Sequence, residues 1–468
     1  MDFGLDALLL ARIQFAFTVT FHIIFPAFTI GLASYIATLE AIWYFRGDDR
    51  CHRLARFWTK IFAVSFAMGV VSGLPMSYQF GTNWSRFSVA TGNVIGPLLG
   101  YEVMTAFFLE ATFLGIMLFG WNRVPKGLHF FASCMVAFGT LLSAFWILSA
   151  NSWMQYPTGH EVRDGIVVPV DWLAVIFNPT FPHRFAHMVT AAYITTAIVV
   201  LSVGARYWLQ NRYADESRVM VRMALAMILV LAPLQAFIGD QHGLKTAQYQ
   251  PAKLAAMEAH WDGAKPASLV LFALPNARTE SNDYEIAVPK LGSLIITHDW
   301  NGLFPGLKDF KPEDRPPLYM PFFGFRLMVA IGLWFIALAA FGGFLWWRGR
   351  LFQNRTFMRA AKFSWPLGFV AVIAGWITTE VGRQPWIATG LVRTSEGVSP
   401  VASGAVGTSL ILFFFVYLIV FSAGIVYINR LIHKGPVLQA PEGLEEGTPA
   451  RPISAATETG RGPALEGK

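Results

Sequence analysis

Histidine, methionine and carboxylate side chains occur inside long apolar stretches of this 468-residue sequence, where ionisable groups are costly to place. The first is His22, within LARIQFAFTVTFHIIFPAF. It falls about 14 residues into its stretch, or about 21 Å along a regular helix. Neutral imidazole is a good iron ligand. A buried histidine bonded to a neighbouring carbonyl is the alternative, and position alone does not separate the two.

A second histidine and a methionine occupy matching positions in two later stretches. His187 in HRFAHMVT and Met328 in FRLMVAIG are both expected at the outer end of a helix. Together they form the ligand pair of a six-coordinate, electron-transferring heme, because a soft thioether favours reduced iron. Plain core packing is the commoner role of a membrane methionine. Arg326 lies where a heme propionate would need a cation, or it extends to the interface.

Two pairs of charged residues also fall at membrane depth. Glu102 and Glu110 in YEVMTAFFLEATF project within about 80° of each other on a regular helix. Two carboxyls along one face are typical of a proton relay, and hydrogen bonds to adjacent helices are the alternative. Glu380 and Arg383 in AGWITTEVGRQPW could neutralise each other. An ion pair alone does not explain a carboxylate at that depth.

A further charged pair lies in the longest connection between the apolar stretches. The segment PAKLAAMEAHW predicts a short helix with Pro251 in its first turn. Lys253 and Glu258 would lie about 140° apart on that helix, so they do not form a simple surface pair. The two side chains either lie on opposite sides of a bound ring-shaped ligand or face water.

The elements that position these residues are predicted to be membrane-spanning helices. The sequence is 54% hydrophobic and 14% charged, a balance too apolar for a soluble domain of this length. A span needs about 20 apolar residues, and nine stretches qualify. We therefore expect an all-α integral membrane protein of about nine transmembrane helices. The stretches are 8–45, 57–80, 94–121, 127–153, 184–209, 219–239, 320–347, 364–384 and 405–429.

Lysine and arginine residues predict the orientation of these helices. They cluster in alternate loops and at the carboxyl end, which places those segments in the cytoplasm and the N-terminus outside. The net charge of +7 is divided among these clusters, which argues against a nucleic-acid partner. Two cysteines provide neither a disulfide framework nor a CxxCH motif, so any heme is held non-covalently.

The same pattern divides the chain into four regions. Residues 1–239 carry helices one to six, and 240–319 form a long external loop of the kind that is functional or disordered. Residues 320–434 carry helices seven to nine. Residues 435–468 are expected to form a disordered cytoplasmic tail, because they have too little apolar surface to fold.

Seven segments, in this order and spacing, resemble subunit I of the cytochrome bd-type ubiquinol oxidases. The likeness runs from the first span to the ninth. It implies a multi-pass protein of the bacterial cytoplasmic (inner) membrane. The segments are RIQFAFTVTFHIIFP, QFGTNWS, AFFLEATFLGIMLFGW, LSAFWILSANSWMQYP, KLAAMEAHW, FRLMV and GRQPW.

The resemblance implies roles for the residues singled out above. His187 and Met328 would ligate a low-spin heme b, with Arg326 near its propionates. Two residues, His22 and Glu380, would serve two high-spin hemes at an oxygen-reducing site. These would be a high-spin heme b and either heme d or a further heme b. Two further residues would line that site, Trp376 and Arg383.

The quinol and proton roles come from the same resemblance. Lys253 and Glu258 match the quinol-binding loop, while Glu102 and Glu110 match carboxylates near the high-spin hemes. Glu110 would lie on a proton path from the cytoplasm. Two positions, Ala111 and Thr140, depart from a serine found in some members beside that path. The loop itself resembles the short-loop class often described as cyanide-insensitive.

The expected activity is quinol:oxygen oxidoreduction. Membrane quinol would be oxidised at the outer face and O2 reduced to water with cytoplasmic protons. A second membrane subunit is implied, and a small single-helix accessory subunit is a further partner to be tested. One alternative is a secondary transporter that uses the intramembrane carboxylates for a coupling ion. Another is a heme b subunit that transfers electrons without oxygen chemistry.

Overall fold

Sixteen α-helices account for most of residues 6–436, the part of the chain that the computed structural model describes. The predicted tail lies almost wholly outside the described residues. In chain order the helices are α1 Ala7–Ile24, α2 Pro26–Arg46, α3 Asp49–Thr82, α4 Ser85–Tyr101, α5 Phe108–Phe119, α6 Lys126–Gln155, α7 Trp172–Ile176, α8 Phe181–Leu209, α9 Ala214–Tyr249, α10 Pro251–Glu258, α11 Leu291–Thr297, α12 Tyr319–Trp347, α13 Arg355–Phe363, α14 Leu367–Val381, α15 Thr394–Gly397 and α16 Ser403–Lys434.

The prediction of about nine spans is confirmed. Eight helical segments of the described chain are long and apolar enough to cross a membrane. The pair α13 and α14, bent by 43°, provides a ninth if it is counted as one span. The first span is α1 joined to α2, and it breaks at Phe25 because Pro26 has no N–H to continue the helix.

One span contains a wider turn than the regular helix that the spacing of Glu102 and Glu110 assumes. Residues Glu102–Phe107 form a π-helix between α4 and α5. A π-turn inserts extra residues into the helical repeat and rotates the residues on its C-terminal side. The predicted angle of about 80° rests on a regular helix that this span does not form, so the relation of the two carboxyls depends on the neighbouring helix.

The sixth predicted span, α9, is longer than the sequence pattern indicates. The apolar stretch ends at 239, but α9 continues to Tyr249 through the polar segment DQHGLKTAQY. The predicted loop therefore begins about ten residues later than 240, because a helix can extend beyond the apolar part of its span. The loop is largely ordered, with α10, α11, a hairpin and two 3₁₀ turns, Leu307–Asp309 and Pro312–Asp314.

Three small antiparallel sheets lie in the connections. Each consists of two strands, and together they account for all the sheet within residues 6–436. The hairpin in the long loop is the largest, and β5 with β6 comes directly after α14. The strands are β1 His160–Arg163, β2 Ile166–Pro169, β3 Leu269–Asn276, β4 Ser281–Val288, β5 Trp386–Ala388 and β6 Val392–Arg393.

The centre of the bundle is α8. In the most apolar part of α8, 72% of the residues are buried, against 17–50% in the corresponding parts of the other seven long spans. It packs against α2, α6, α9, α13 and α14. Gly31 of α2 allows one close approach, because an added Cβ would lie 2.4 Å from the hydroxyl of Thr196 on α8. A central helix with neighbours on all sides holds its polar residues in fixed positions.

Candidate functional site

A cavity of about 360 Å³ lies where α8, α9, α12 and α14 meet under the long loop. It brings together residues that are far apart in the sequence. The side chains of His187 on α8 and Met328 on α12 both line it. Trp376 of α14 lines the same cavity, as do Lys253 and Glu258 of α10. Five of the predicted site residues therefore share one space.

Two glycines keep the space beside the predicted ligands open. An added Cβ at Gly375 would lie 2.9 Å from the Met328 sulfur, and one at Gly239 would lie 3.4 Å from Cε1 of His187. The buried Nδ1 of His187 has no hydrogen-bond partner among the described residues. Imidazole nitrogen and thioether sulfur facing one largely apolar cavity are a donor set that fits a heme.

Arg326 does not line this cavity. Its guanidinium donates to Glu258 Oε2 at 3.0 Å, to the Val270 carbonyl at 2.8 Å from Nε, and to the Met257 carbonyl. The guanidinium also lies 3.8 Å from the ring centre of Phe322. All three guanidinium nitrogens donate to acceptors in the long loop. Arg326 therefore ties the helix that carries Met328 to α10 and β3.

Lys253 is buried beneath the same loop. Its amine donates to Gln250 Oε1 at 2.8 Å and to the side-chain oxygen of Gln155. Burial lowers the pKa of Lys253 well below its ordinary value, and the positive charges of Arg184 and Arg383 lower it further, against the opposing effect of Glu380. The two amides hold this amine in a fixed position beside the cavity, where it is suited to polar recognition.

The predicted pair of Glu380 and Arg383 is confirmed as an ion pair, with Arg383 Nη2 donating to Glu380 Oε2. The other carboxylate oxygen, Oε1, accepts from the side-chain amides of Asn151 at 3.0 Å and Gln155 at 3.1 Å. Nε and Nη1 of Arg383 are buried and have no hydrogen-bond partner within residues 6–436. The cluster thus retains donor capacity for an acceptor that is not part of the described chain.

His22 makes the hydrogen bond to a neighbouring carbonyl that was one of its two alternatives, and iron ligation stays a prediction. Its Nδ1 lies 3.2 Å from the Gly69 carbonyl and 3.1 Å from the Ser72 hydroxyl on α3. A carbonyl only accepts, so Nδ1 carries the proton and Nε2 keeps its lone pair. This is the arrangement that orients metal-binding histidines. Gly73 leaves room for the ring, because an added Cβ would lie 3.1 Å from Cε1.

The two carboxyls of the third span meet the same helix, α6. Glu102 Oε1 accepts from the Ser143 hydroxyl at 2.7 Å. Glu110 is buried against Gly139, where an added Cβ would lie 2.6 Å from its Cγ. Gly139 and Ser143 are four residues apart and so share a helix face. The π-turn therefore leaves both carboxyls beside one face of α6.

Sequence reasoning missed three polar residues of this region, Asn151, Gln155 and Arg184. Asn151 and Gln155 lie one turn apart on α6 and both hold Glu380. Arg184 precedes His187 on α8, lines the cavity and is buried. The signal available was the number of polar residues in LSANSWMQYP and HRFAH, which is high for segments at the end of a buried span.

Comparison with known proteins gives one family. The family model for cytochrome bd terminal oxidase subunit I matches residues 10–436. A cytochrome bd ubiquinol oxidase subunit 1 of Bacillus subtilis is 36% identical, with 92% of this chain and 94% of that protein covered. A cytochrome bd-II ubiquinol oxidase subunit 1 of Escherichia coli is 32% identical, with 92% and 97% covered.

A solved structure agrees with these matches. The bd oxidase from Geobacillus thermodenitrificans contains a chain that is 32% identical, with a TM-score of 0.85. The similarity covers 93% of this chain and all of that one. The chain therefore belongs to the cytochrome bd terminal oxidase subunit I family. It is a multi-pass membrane subunit of a heme-containing respiratory oxidoreductase, so the transporter alternative is wrong.

Proposed function

We propose that this chain oxidises membrane quinol beneath its long loop and passes the electrons to an oxygen-reducing site within its helices. The observation that carries the proposal is the cavity where His187 and Met328 meet Lys253 and Glu258. A redox ligand pair and a polar recognition pair on one cavity can accept electrons and protons from the same molecule. The ubiquinol named for the relatives is the chemical class expected here.

His187 and Met328 would hold a low-spin heme b in this cavity. Thioether ligation favours the reduced state of such a heme, which carries one electron at a time. The chain itself orients the ligands. Gln235 donates to the His187 carbonyl at 3.1 Å, and Gly375 leaves the Met328 sulfur uncovered on the α14 side.

Lys253 and Glu258 would bind the quinol head group from α10. Arg326 holds the Glu258 carboxylate at 3.0 Å, where it could accept a hydrogen bond from a quinol hydroxyl. Lys253 donates hydrogen bonds and is fixed by Gln155 and Gln250. The positive-inside pattern supports an external position for this loop, so the quinol protons would be released outside.

His22 and Glu380 would serve the two high-spin hemes, a heme b and either heme d or a second heme b. Trp376 lies one turn before Glu380 on α14 and lines the His187–Met328 cavity, so it is placed between the two sites. Arg383 would balance the charge of Glu380 and offer its remaining donors to heme carboxylates. O2 would be reduced to water at this second site.

Protons for water would come from the cytoplasm past Glu110 and Glu102. Their common position against α6 supports a route in which Glu110 is the more buried carboxyl and Ser143 fixes Glu102. A second membrane subunit would complete the enzyme, and a single-helix accessory subunit is a further candidate. The loop would belong to the short-loop class, as its resemblance in sequence implies.

The test uses the two proposed ligands of the low-spin heme. His187→Ala and Met328→Leu should each abolish the low-spin bands in the reduced-minus-oxidised spectrum of the purified enzyme, because each removes one axial ligand. Carbon monoxide binding at the high-spin site should remain. Met188→Leu is the matched control, since Met188 lines the same cavity beside His187. Unchanged low-spin bands in either ligand variant would show the assignment to be wrong.

A further inference from the structure

A buried cation faces the His187–Met328 cavity from the wall formed by α6 and α8. Arg184 is 6% exposed and lies on α8, one turn before His187. Its Nε donates to the Ser152 hydroxyl at 3.1 Å, and its Nη2 donates to the side-chain oxygen of Asn151. Both partners are neutral. Among residues 6–436, the hydrogen bonds of Arg184 use Nε and Nη2 and leave Nη1 available.

The carboxylates near this region are already bound to other groups. Glu380 pairs with Arg383 and accepts from two amides, and Glu258 pairs with Arg326. No carboxylate among the described residues forms a salt bridge with Arg184. A buried arginine almost always has an anionic partner, because its desolvation otherwise costs several kcal/mol. Glu380 is a favourable charge for Arg184, but Asn151 bridges the two side chains and they form no direct ion pair. An anion in the cavity would give Arg184 a direct partner.

We propose that Arg184 anchors a carboxylate-binding subsite in this cavity, and that the carboxylate belongs to the heme held by His187 and Met328. This inference rests on the function proposed above. Arg326, the cation that the sequence suggested for this task, has each nitrogen bonded to the loop. Arg184 lines the cavity and retains an unused nitrogen.

The neighbouring amide makes the subsite rigid and connects it to the second site. Asn151 accepts from Arg184 through Oδ1 and donates from Nδ2 to Glu380 Oε1 at 3.0 Å. Both bonds fix the same orientation of the amide, since only its oxygen can accept and only its nitrogen can donate. One side chain thus positions a cation at the cavity and a carboxylate at the Glu380 cluster.

A fixed positive charge beside the heme should make its oxidised form less favourable. Arg184→Gln removes that charge and keeps a hydrogen-bonding amide, whereas Arg184→Lys keeps the charge. Redox titration of the low-spin band in the purified holoenzyme should show a lower midpoint potential for Arg184→Gln. We expect about a tenfold shift toward the oxidised form, which is about 59 mV for one electron. Arg184→Lys should restore most of the wild-type value.

A control variant removes an ion pair far from the cavity. Arg53 pairs with Glu216 at 2.6 Å near the opposite ends of the helices, and Arg53→Gln should leave the midpoint potential unchanged. If Arg184→Gln keeps its low-spin band and the wild-type potential, the inference is overturned. Absence of a low-spin band from the wild-type enzyme would instead overturn the proposed function.

Isotope labelling identifies the source of the carboxylate. It uses Arg184→Lys, so the test still applies if Arg184→Gln does not assemble. Heme labelled with ¹³C at its propionate carboxyls should give carboxylate bands in the redox difference infrared spectrum that shift in Arg184→Lys, because the cation geometry changes. If the bands that respond to Arg184→Lys do not respond to the heme label, the carboxylate belongs to another group and the heme assignment is overturned. Identical spectra for wild type and Arg184→Lys would overturn the subsite.

Discussion

Replacing Arg326 with glutamine should loosen the long loop without removing a heme ligand. In the folded chain this guanidinium makes hydrogen bonds to Glu258, Met257 and Val270. The side chains of Arg326 and Glu258 are only 17% and 9% exposed. Removing one partner of such a pair leaves a carboxylate buried without a counter-charge, which costs about 3–5 kcal/mol. The α10 segment and β3 should therefore detach more often.

The loss of Arg326 should make the long loop open locally more often. A loss of about 3 kcal/mol raises the population of the open loop by about a hundredfold. Proteolysis follows that population when opening and closing are fast. Limited proteolysis of Arg326→Gln should thus cut between α10 and β3 about a hundred times faster. The KM for quinol should rise, while the low-spin bands should remain because Met328 is intact.

An arginine within the long loop itself provides the control. Arg315 pairs with Glu280 at 2.6 Å, but the Glu280 side chain is 38% exposed. An exposed pair contributes little to stability, so Arg315→Gln should speed cleavage far less than Arg326→Gln does. Equal proteolysis rates for wild type and Arg326→Gln would refute the role of Arg326 as the tie between α12 and the loop.

Three further predictions test other parts of the site. The folded-state pKa of Lys253 lies below its ordinary value of 10.5. The native loop should therefore gain stability as pH rises from that lowered pKa toward 10.5, by at most about 1.4 kcal/mol per pH unit. Hydrogen exchange of α10 should show this gain in wild type and not in Lys253→Met, and equal pH slopes in the two would contradict it. Gly375→Ala should perturb the low-spin spectrum, since its Cβ would lie 2.9 Å from the Met328 sulfur. Gly96→Ala on α4 lies outside the cavity lining and meets nothing within 4 Å, so it should be silent. Matching spectra for the two variants would rule out the proposed packing. Glu110→Gln should slow oxygen reduction and proton uptake in flow-flash oxidation of the fully reduced enzyme, because glutamine keeps the shape of the side chain but cannot ionise. The KM for quinol should be unchanged. Wild-type rates would exclude a proton relay through this residue.

The sequence alone determined the class of fold, because each span carries its own apolar stretch of sufficient length. Hydropathy is a local property, and eight or nine spans could be recognised without any tertiary contact. The chemical types of the site residues were also visible, since a histidine, a methionine or a glutamate is conspicuous where the neighbours are apolar. The ion pair of Glu380 and Arg383 needed only their spacing of three residues in the sequence.

The tertiary structure decided which of these residues meet and what surrounds them. His187 and Met328 share a cavity because α8 and α12 both border it, a relation that no local pattern encodes. Arg326 turns toward the loop and Arg184 toward the cavity, since hydrogen-bond acceptors from distant segments select the direction of each guanidinium. The relation of Glu102 to Glu110 likewise depends on a π-turn and on α6. Long-range packing, which hydropathy does not encode, therefore determines the geometry of the site.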